Sequence, residues 1–122
     1  MRYICLVHAD PARFEALSAE QRTDLDRRSI AYDRELTEKG HYVISEAIQN
    51  PGTAVLVRSR NGAISNTDGP FMETKEFMAG FILVEARDMN EAVRLAAGIP
   101  MAEMGTIEVR PVYLIPTPPE KA

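Results

Sequence analysis

The chain has 122 residues, 45% of them apolar, which suffices for one domain whose core needs neither disulfides nor a metal to hold it. Fourteen Lys and Arg against eighteen Asp and Glu give a net charge of −4 with no basic stripe, which argues against a nucleic-acid binder. No apolar run approaches the ~20 residues of a membrane span, no secretion signal is legible at the N-terminus, and the single cysteine suits a reducing compartment, so the expected location is cytoplasmic.

Arg2 to His8 reads as a strand with apolar residues on both faces: Tyr3, Cys5 and Val7 against Ile4 and Leu6. Such a strand is central and covered on both sides. Cys5 is expected to be a packed core residue. Asp10-Pro11 ends the strand, and a short turn over 12–17 follows. Ser18-Ala19-Glu20-Gln21 is a capping box that opens a long helix, expected to run to Lys39 and stop at Gly40. Leu25, Ser29, Tyr32 and Leu36 form its buried stripe, with Ala31 beside it. The pairs Asp24–Arg28, Arg34–Glu38 and Glu35–Lys39 are spaced to meet on its wetter faces.

His41 to Ile48 reads as a second strand, with Tyr42, Ile44, Glu46 and Ile48 on one face. Glu46 is thus a carboxylate in an otherwise apolar row. A third strand covers 53–59, and Asn61-Gly62 is a hairpin turn leading into 63–65. The next stretch, Thr67-Asp68-Gly69-Pro70-Phe71, is read as a loop, because Pro lacks an amide hydrogen and Gly has no side chain to pack. Phe81 to Ala86 is a dense apolar strand. Asp88 caps a second helix with Glu91 in a capping-box position, and Ala92, Val93, Ala96 and Ile99 form its buried stripe. A loop over 101–105 leads into a last strand over 106–114. The Pro-rich segment 115–122 is an extended tail beyond a single domain, 1–114.

Two strand–helix–strand units, 2–48 and 81–114, with a hairpin between them predict an α+β ferredoxin-like sandwich: a mostly antiparallel sheet with two helices on one face. Several strands are apolar on both faces, yet two helices cover only one. The bare face therefore predicts a homodimer related by a two-fold axis.

The run Thr67-Asp68-Gly69-Pro70-Phe71-Met72-Glu73-Thr74-Lys75-Glu76, with Gly80-Phe81, Glu85-Ala86-Arg87-Asp88 and Glu108-Val109-Arg110-Pro111-Val112, resembles the YCII-related family in its DGPF branch. Ser45-Glu46-Ala47-Ile48 is similar to a further piece of that branch. The resemblance covers about residues 1–113 and implies a dimeric α+β barrel. It also implies enzymatic relatives that carry a His–Asp pair and a link to sigma-factor systems. His8 stands where the branch usually has Tyr, and Ser45 where Gly is common.

Among the motif residues, Asp68 before Gly-Pro suits either a turn whose carboxylate accepts nearby amides or a catalytic carboxylate at a pocket mouth. Glu46 is either salt-bridged or shifted toward a useful pKa by its apolar row. His8 is either a rim or interface histidine or an assistant in catalysis. Lys75 either neutralises its acidic neighbours or, with Arg110, holds an anionic group. Thr74, Phe71 and Tyr32 complete the candidate substrate-binding set. Two His and one Cys offer no metal-ligand spacing, and no phosphate loop, nucleophile elbow or dinucleotide fingerprint is present, so no cofactor is expected. The expected activity is cofactor-free acid–base chemistry on a small molecule by Asp68, Glu46 and His8. The alternative is a non-catalytic binding or accessory module.

Overall fold

The computed structural model describes residues 1–72 and 74–119. In chain order it runs β1 (Arg2–Ala9), α1 (Pro11–Glu15), α2 (Ala19–Glu38), β2 (Tyr42–Ala47), β3 (Val55–Arg60), β4 (Ala63–Asp68), β5 (Phe77–Glu85), α3 (Met89–Ala97) and β6 (Gly105–Pro111). Short 3₁₀ turns occupy Pro51–Thr53 and Pro100–Glu103. The main sheet has the order β2-β5-β1-β6, antiparallel throughout, and β3 with β4 forms a separate ribbon. This is the ferredoxin-like α+β sandwich expected from the sequence.

Local chemistry explains most boundaries. The Gln21 amide donates to Ser18 Oγ at 3.1 Å, and the Ser18 amide donates to Gln21 Oε1 at 2.8 Å, completing the capping box of α2. At α3 only half the box forms: Asp88 accepts from the Glu91 amide at 2.9 Å, but Glu91 takes the amide of Arg87 instead. Residues 11–15 are a helix rather than a turn. Asp10 accepts from the Ala12 amide at 3.0 Å, and Pro11 at the first helical position is preset for helical φ.

Other sequence expectations need correction. Thr67 and Asp68 belong to β4, where Asp68 pairs with Val55; the chain leaves the ladder only at Gly69. Gly69 has φ +104°, a conformation that a side chain strains against, and its amide donates to Ala54 O at 2.7 Å. A register shift between Tyr42 and Ile44 turns Tyr42 onto the helix-covered face, away from Ile44 and Glu46. Val93 and Ala31 are exposed, and Val112 to Leu114 lie past the end of β6. Glu35 and Lys39 do meet, at 2.8 Å, but Arg28 grips Glu103 with both terminal guanidinium nitrogens and leaves Asp24 to Arg27.

The core lies between the sheet and the helices. Tyr3, Cys5, Val7, Ile82 and Val84 from the sheet meet Leu36 of α2 and Ala92 and Ala96 of α3. The two alanines let α3 approach the strands closely. The opposite face carries Ile4, Leu6, Ile44, Phe81 and Leu83 in cross-strand register, and no helix covers it.

Cys5 is fully buried, and burial pushes its thiol up to about 11. At pH 8 the folded protein should therefore resist an aromatic disulfide reagent, then react with one equivalent once denatured. Fast modification of the native chain would contradict this burial.

Two exposed carboxyls are held below the ordinary range: Glu85 by hydrogen bonding to Arg2 and by the N-terminus, and Glu103 by hydrogen bonding to Arg28. A depressed folded-state pKa contributes stability above the unfolded value of about 4.3, and that stability is lost as pH falls through the folded value. Glu103→Gln should therefore flatten the drop in Tm on acidification from pH 5 toward pH 3 and leave the slope near pH 7 unchanged. The effect should be small and weaker in salt, as for exposed pairs generally. An unaltered acid limb would show that the Arg28–Glu103 pair contributes nothing.

Candidate functional site

Two adjoining hollows lie at the α1 end of the sheet. The inner one, about 370 Å³, opens between α2 and the sheet. Its walls are largely apolar, including Val7, Phe14, Leu25, Phe77, Ile82 and Met101. The outer one is a cleft of about 1290 Å³ bounded by α1, the 3₁₀ turn at 51–53 and the loop after β4. Phe14, Ile48, Asn50 and Phe77 line both, so the cleft abuts the cavity along a shared wall.

The polar centre of the inner cavity is built from one helix and one strand. Ser45 Oγ donates to Asp33 Oδ2 at 2.9 Å, and the Tyr42 hydroxyl lies 2.8 Å from Ser45 Oγ. With the Ser45 proton committed to the carboxylate, Tyr42 is the donor of the second bond, giving a chain Tyr42 to Ser45 to Asp33. The bulge between Tyr42 and Ile44 makes this possible, because it brings Tyr42 and Ser45 to the same side of β2. All three residues are half-buried. Asp26 and Glu46 add two more carboxylates to the lining, and among the described residues the lining holds no Lys, Arg or His.

The residues singled out from sequence do not converge on one centre. His8, Phe71, Thr74 and Lys75 line the outer cleft. There His8 Nε2 lies 3.0 Å from Glu108 Oε1, and the Thr74 hydroxyl donates to Glu76 O. Arg22 joins them, with its guanidinium 4.8 Å above the Phe14 ring. Glu46 and Tyr32 line the inner cavity instead. The Tyr32 hydroxyl is already committed, donating to Leu95 O at 2.5 Å, and burial raises its pKa. The ring of Tyr32, rather than its hydroxyl, is what the cavity meets.

Asp68 and Arg110 line neither hollow among the described residues. Asp68 makes no side-chain hydrogen bond there either; Pro70, two residues on, has no amide to offer. Glu73 lies outside the described residues. Among those described, no group of three His, Cys, Asp or Glu could hold a metal ion, and no helix is long and apolar enough to cross a membrane.

Asp33 and Ser45 carry the polar centre, yet sequence reading did not single out Asp33. The available signal was its spacing. It follows Leu25 by eight residues and Ser29 by four, so it lies on the buried stripe of α2 rather than on a wet face.

Gly80, in the cavity wall, is required by close approach: a Cβ there would lie 2.5 Å from the Glu46 carbonyl oxygen of β2.

An uncharacterised protein of Rhizobium meliloti (strain 1021) is 31% identical over 116 residues, spanning 93% of this chain and 94% of its own. Among solved structures, the 5-chloro-2-hydroxyhydroquinone dehydrochlorinase of Burkholderia phenoliruptrix AC1100, in complex with 2,5-dihydroxybenzoquinone, is similar with a TM-score of 0.57. It shares 15% identity over 93% of this chain and 94% of that one, a likeness of fold. The YCII-related domain matches residues 1–116, nearly the whole length, and the chain belongs to that family.

Proposed function

We propose that the protein catalyses cofactor-free proton transfer on a small, uncharged, hydroxylated ring compound bound in the inner cavity, with Asp33 as the base. The observation that carries this reading is the Ser45–Asp33 pair, set in the lining of a hollow that is otherwise largely apolar, with the Tyr42 hydroxyl supporting Ser45 from outside that lining. Ser45 fixes one carboxylate oxygen of Asp33. The other makes no hydrogen bond among the described residues and is left to meet a substrate proton. A pocket with apolar walls and a few convergent polar groups is the usual form of a small-molecule site, and 370 Å³ is near the small end of the range.

The substrate class follows from charge. Asp26, Asp33 and Glu46 would repel an anion, and the cavity lining offers no cation to offset them. The anion-holding role expected for Lys75 and Arg110 therefore has no place in this cavity. Lys75 and Arg22 sit in the outer cleft, the approach to it, and Arg110 lies on β6. Glu46 keeps a part as a lining carboxylate, and the DGPF-like segment around Phe71 frames the approach. The fold neighbour's hydroxylated ring substrate is of the class proposed here.

The test is a screen of purified protein against hydroxylated quinols, enols and lactones, run beside Asp33→Asn and Ser45→Ala. Loss of turnover in Asp33→Asn, with a smaller loss in Ser45→Ala, is expected. Turnover that survives both changes would remove Asp33 from the mechanism. Saturable ring binding with no turnover would favour the accessory role implied by the resemblance to sigma-factor-linked relatives.

A further inference from the structure

The wall between the outer cleft and the inner cavity is made by Phe14, Ile48, Asn50 and Phe77. Ile48, Asn50 and Phe77 are each fixed by the sheet or by a closed turn. Phe77 lies in β5 opposite Ala9. The Ile48 amide donates to Ala79 O at 2.8 Å. Asn50 caps the 3₁₀ turn at 51–53: its Oδ1 accepts from the Gly52 amide at 3.0 Å and its carbonyl from the Thr53 amide at 3.1 Å.

Phe14 is held differently. It belongs to α1, a five-residue helix with no buried residue, and among the described residues α1 makes no extensive contact with any other element. The Asp10 cap closes on Ala12 within that same turn and does not tie it to the body. Elements with so little buried contact are the first to open. The specific contact that fastens Phe14 comes from Arg22 of α2. The Arg22 guanidinium lies 4.8 Å over the Phe14 ring, and its Nη2 donates to the Phe14 carbonyl at 3.3 Å. One side chain thus grips both the ring and the backbone of the wall residue that packing leaves loosest.

We infer that Phe14 sets the size of ring that the inner cavity admits, and that Arg22 is the positioning residue that keeps Phe14 in the wall. The inference rests on the inner cavity being the ligand site, as proposed above, but not on Asp33 acting as its base. A cavity of about 150 Å³ is filled by benzene, so 370 Å³ has room for roughly two fused rings with their hydroxyls and not for three. The sheet, α2 and the 3₁₀ turn at 100–103 form the other walls. A third ring must therefore push Phe14 toward the outer cleft, and removing the Phe14 ring merges cleft and cavity.

The test is isothermal titration calorimetry at pH 7 with resorcinol, a naphthalenediol and an anthracenediol. The proteins are the parent, Phe14→Ala, Arg22→Ala, Arg22→Lys and Phe14→Ala/Arg22→Ala. Because α1 buries no residue and Arg22 is exposed, every variant should keep the circular dichroism of the parent. The parent is expected to bind the first two diols and to take the anthracenediol at least about tenfold more weakly than the naphthalenediol. Phe14→Ala and Arg22→Ala should each narrow that gap. The double variant should narrow it no further than Phe14→Ala alone, since Arg22 acts through Phe14. Arg22→Lys keeps a cation for the ring and should restore part of the limit. A merely structural role would weaken all three diols alike.

A naphthalenediol-to-anthracenediol ratio that stays at the parent value in Phe14→Ala would overturn the inference. An unchanged ratio in Arg22→Ala, or a double variant more permissive than Phe14→Ala, would overturn the part given to Arg22. No diol binding by any of the proteins would sink the inner-cavity reading along with it. The expected binding pattern with turnover intact in Asp33→Asn would remove the base and leave the Phe14 limit standing.

Discussion

Asp33→Asn is expected to lower kcat/KM on the ring substrate by about 10²–10⁴, the usual worth of a positioned general base. The change is nearly isosteric. The Asn amide oxygen can still accept from Ser45, so the Tyr42–Ser45 arrangement persists. What disappears is the capacity to take a proton. Because Asp33 is only half-buried and no ion pair to it exists within 4.0 Å among the described residues, stability should move by about 0.5 kcal/mol or less. A rate loss with an unchanged Tm is the signature of a base. A rate loss that tracks a falling Tm would mean that the residue only holds β2 to α2. Ser45→Ala separates the two further, since it removes the hydroxyl that orients Asp33 and leaves the carboxylate in place.

The largest stability effect should come from Leu36→Ala. Leu36 is 2% exposed and is the side chain through which α2 enters the core, against strands β1 and β5. Truncation to Ala forfeits burial and leaves a cavity, at a cost of about 2–5 kcal/mol. For a domain whose total stability is of order 5–15 kcal/mol, that is a large fraction. Thermal melts followed by circular dichroism should show Tm lower by roughly 10 °C or more, at about 3–6 °C per kcal/mol for this length. Ile30→Ala on the same helix is the control, because Ile30 is 61% exposed and its loss should cost well under 1 kcal/mol. Equal losses at the two positions would mean that the bare side of α2 is also packed, against something outside this chain.

The caps of the two long helices, the alternation along β1, the hairpin turn and the antiparallel ferredoxin-like arrangement were legible in the sequence. All but the last are local matters. Ser18 and Gln21 meet across one turn, Asn61-Gly62 closes its own ribbon, and the apolar phase of a strand is written into its own residues. The Thr67–Glu76 run also pointed correctly to the YCII-related family.

The centre of the inner cavity was not legible in this way. Ser45 reaches Asp33 only because α2 packs across β2, and Tyr42 joins them only because a register shift turns it inward. The same holds for Arg28, which has a well-spaced Asp24 one turn away yet binds Glu103 on a segment 75 residues later. Val93 fits the apolar stripe of α3 by periodicity but lies exposed, while Ala92 and Ala96 of the same helix are buried. Periodicity along one element states which residues can face inward. Which polar groups then meet inside is decided by the packing of separate elements, whose offsets of a few ångströms no single segment encodes.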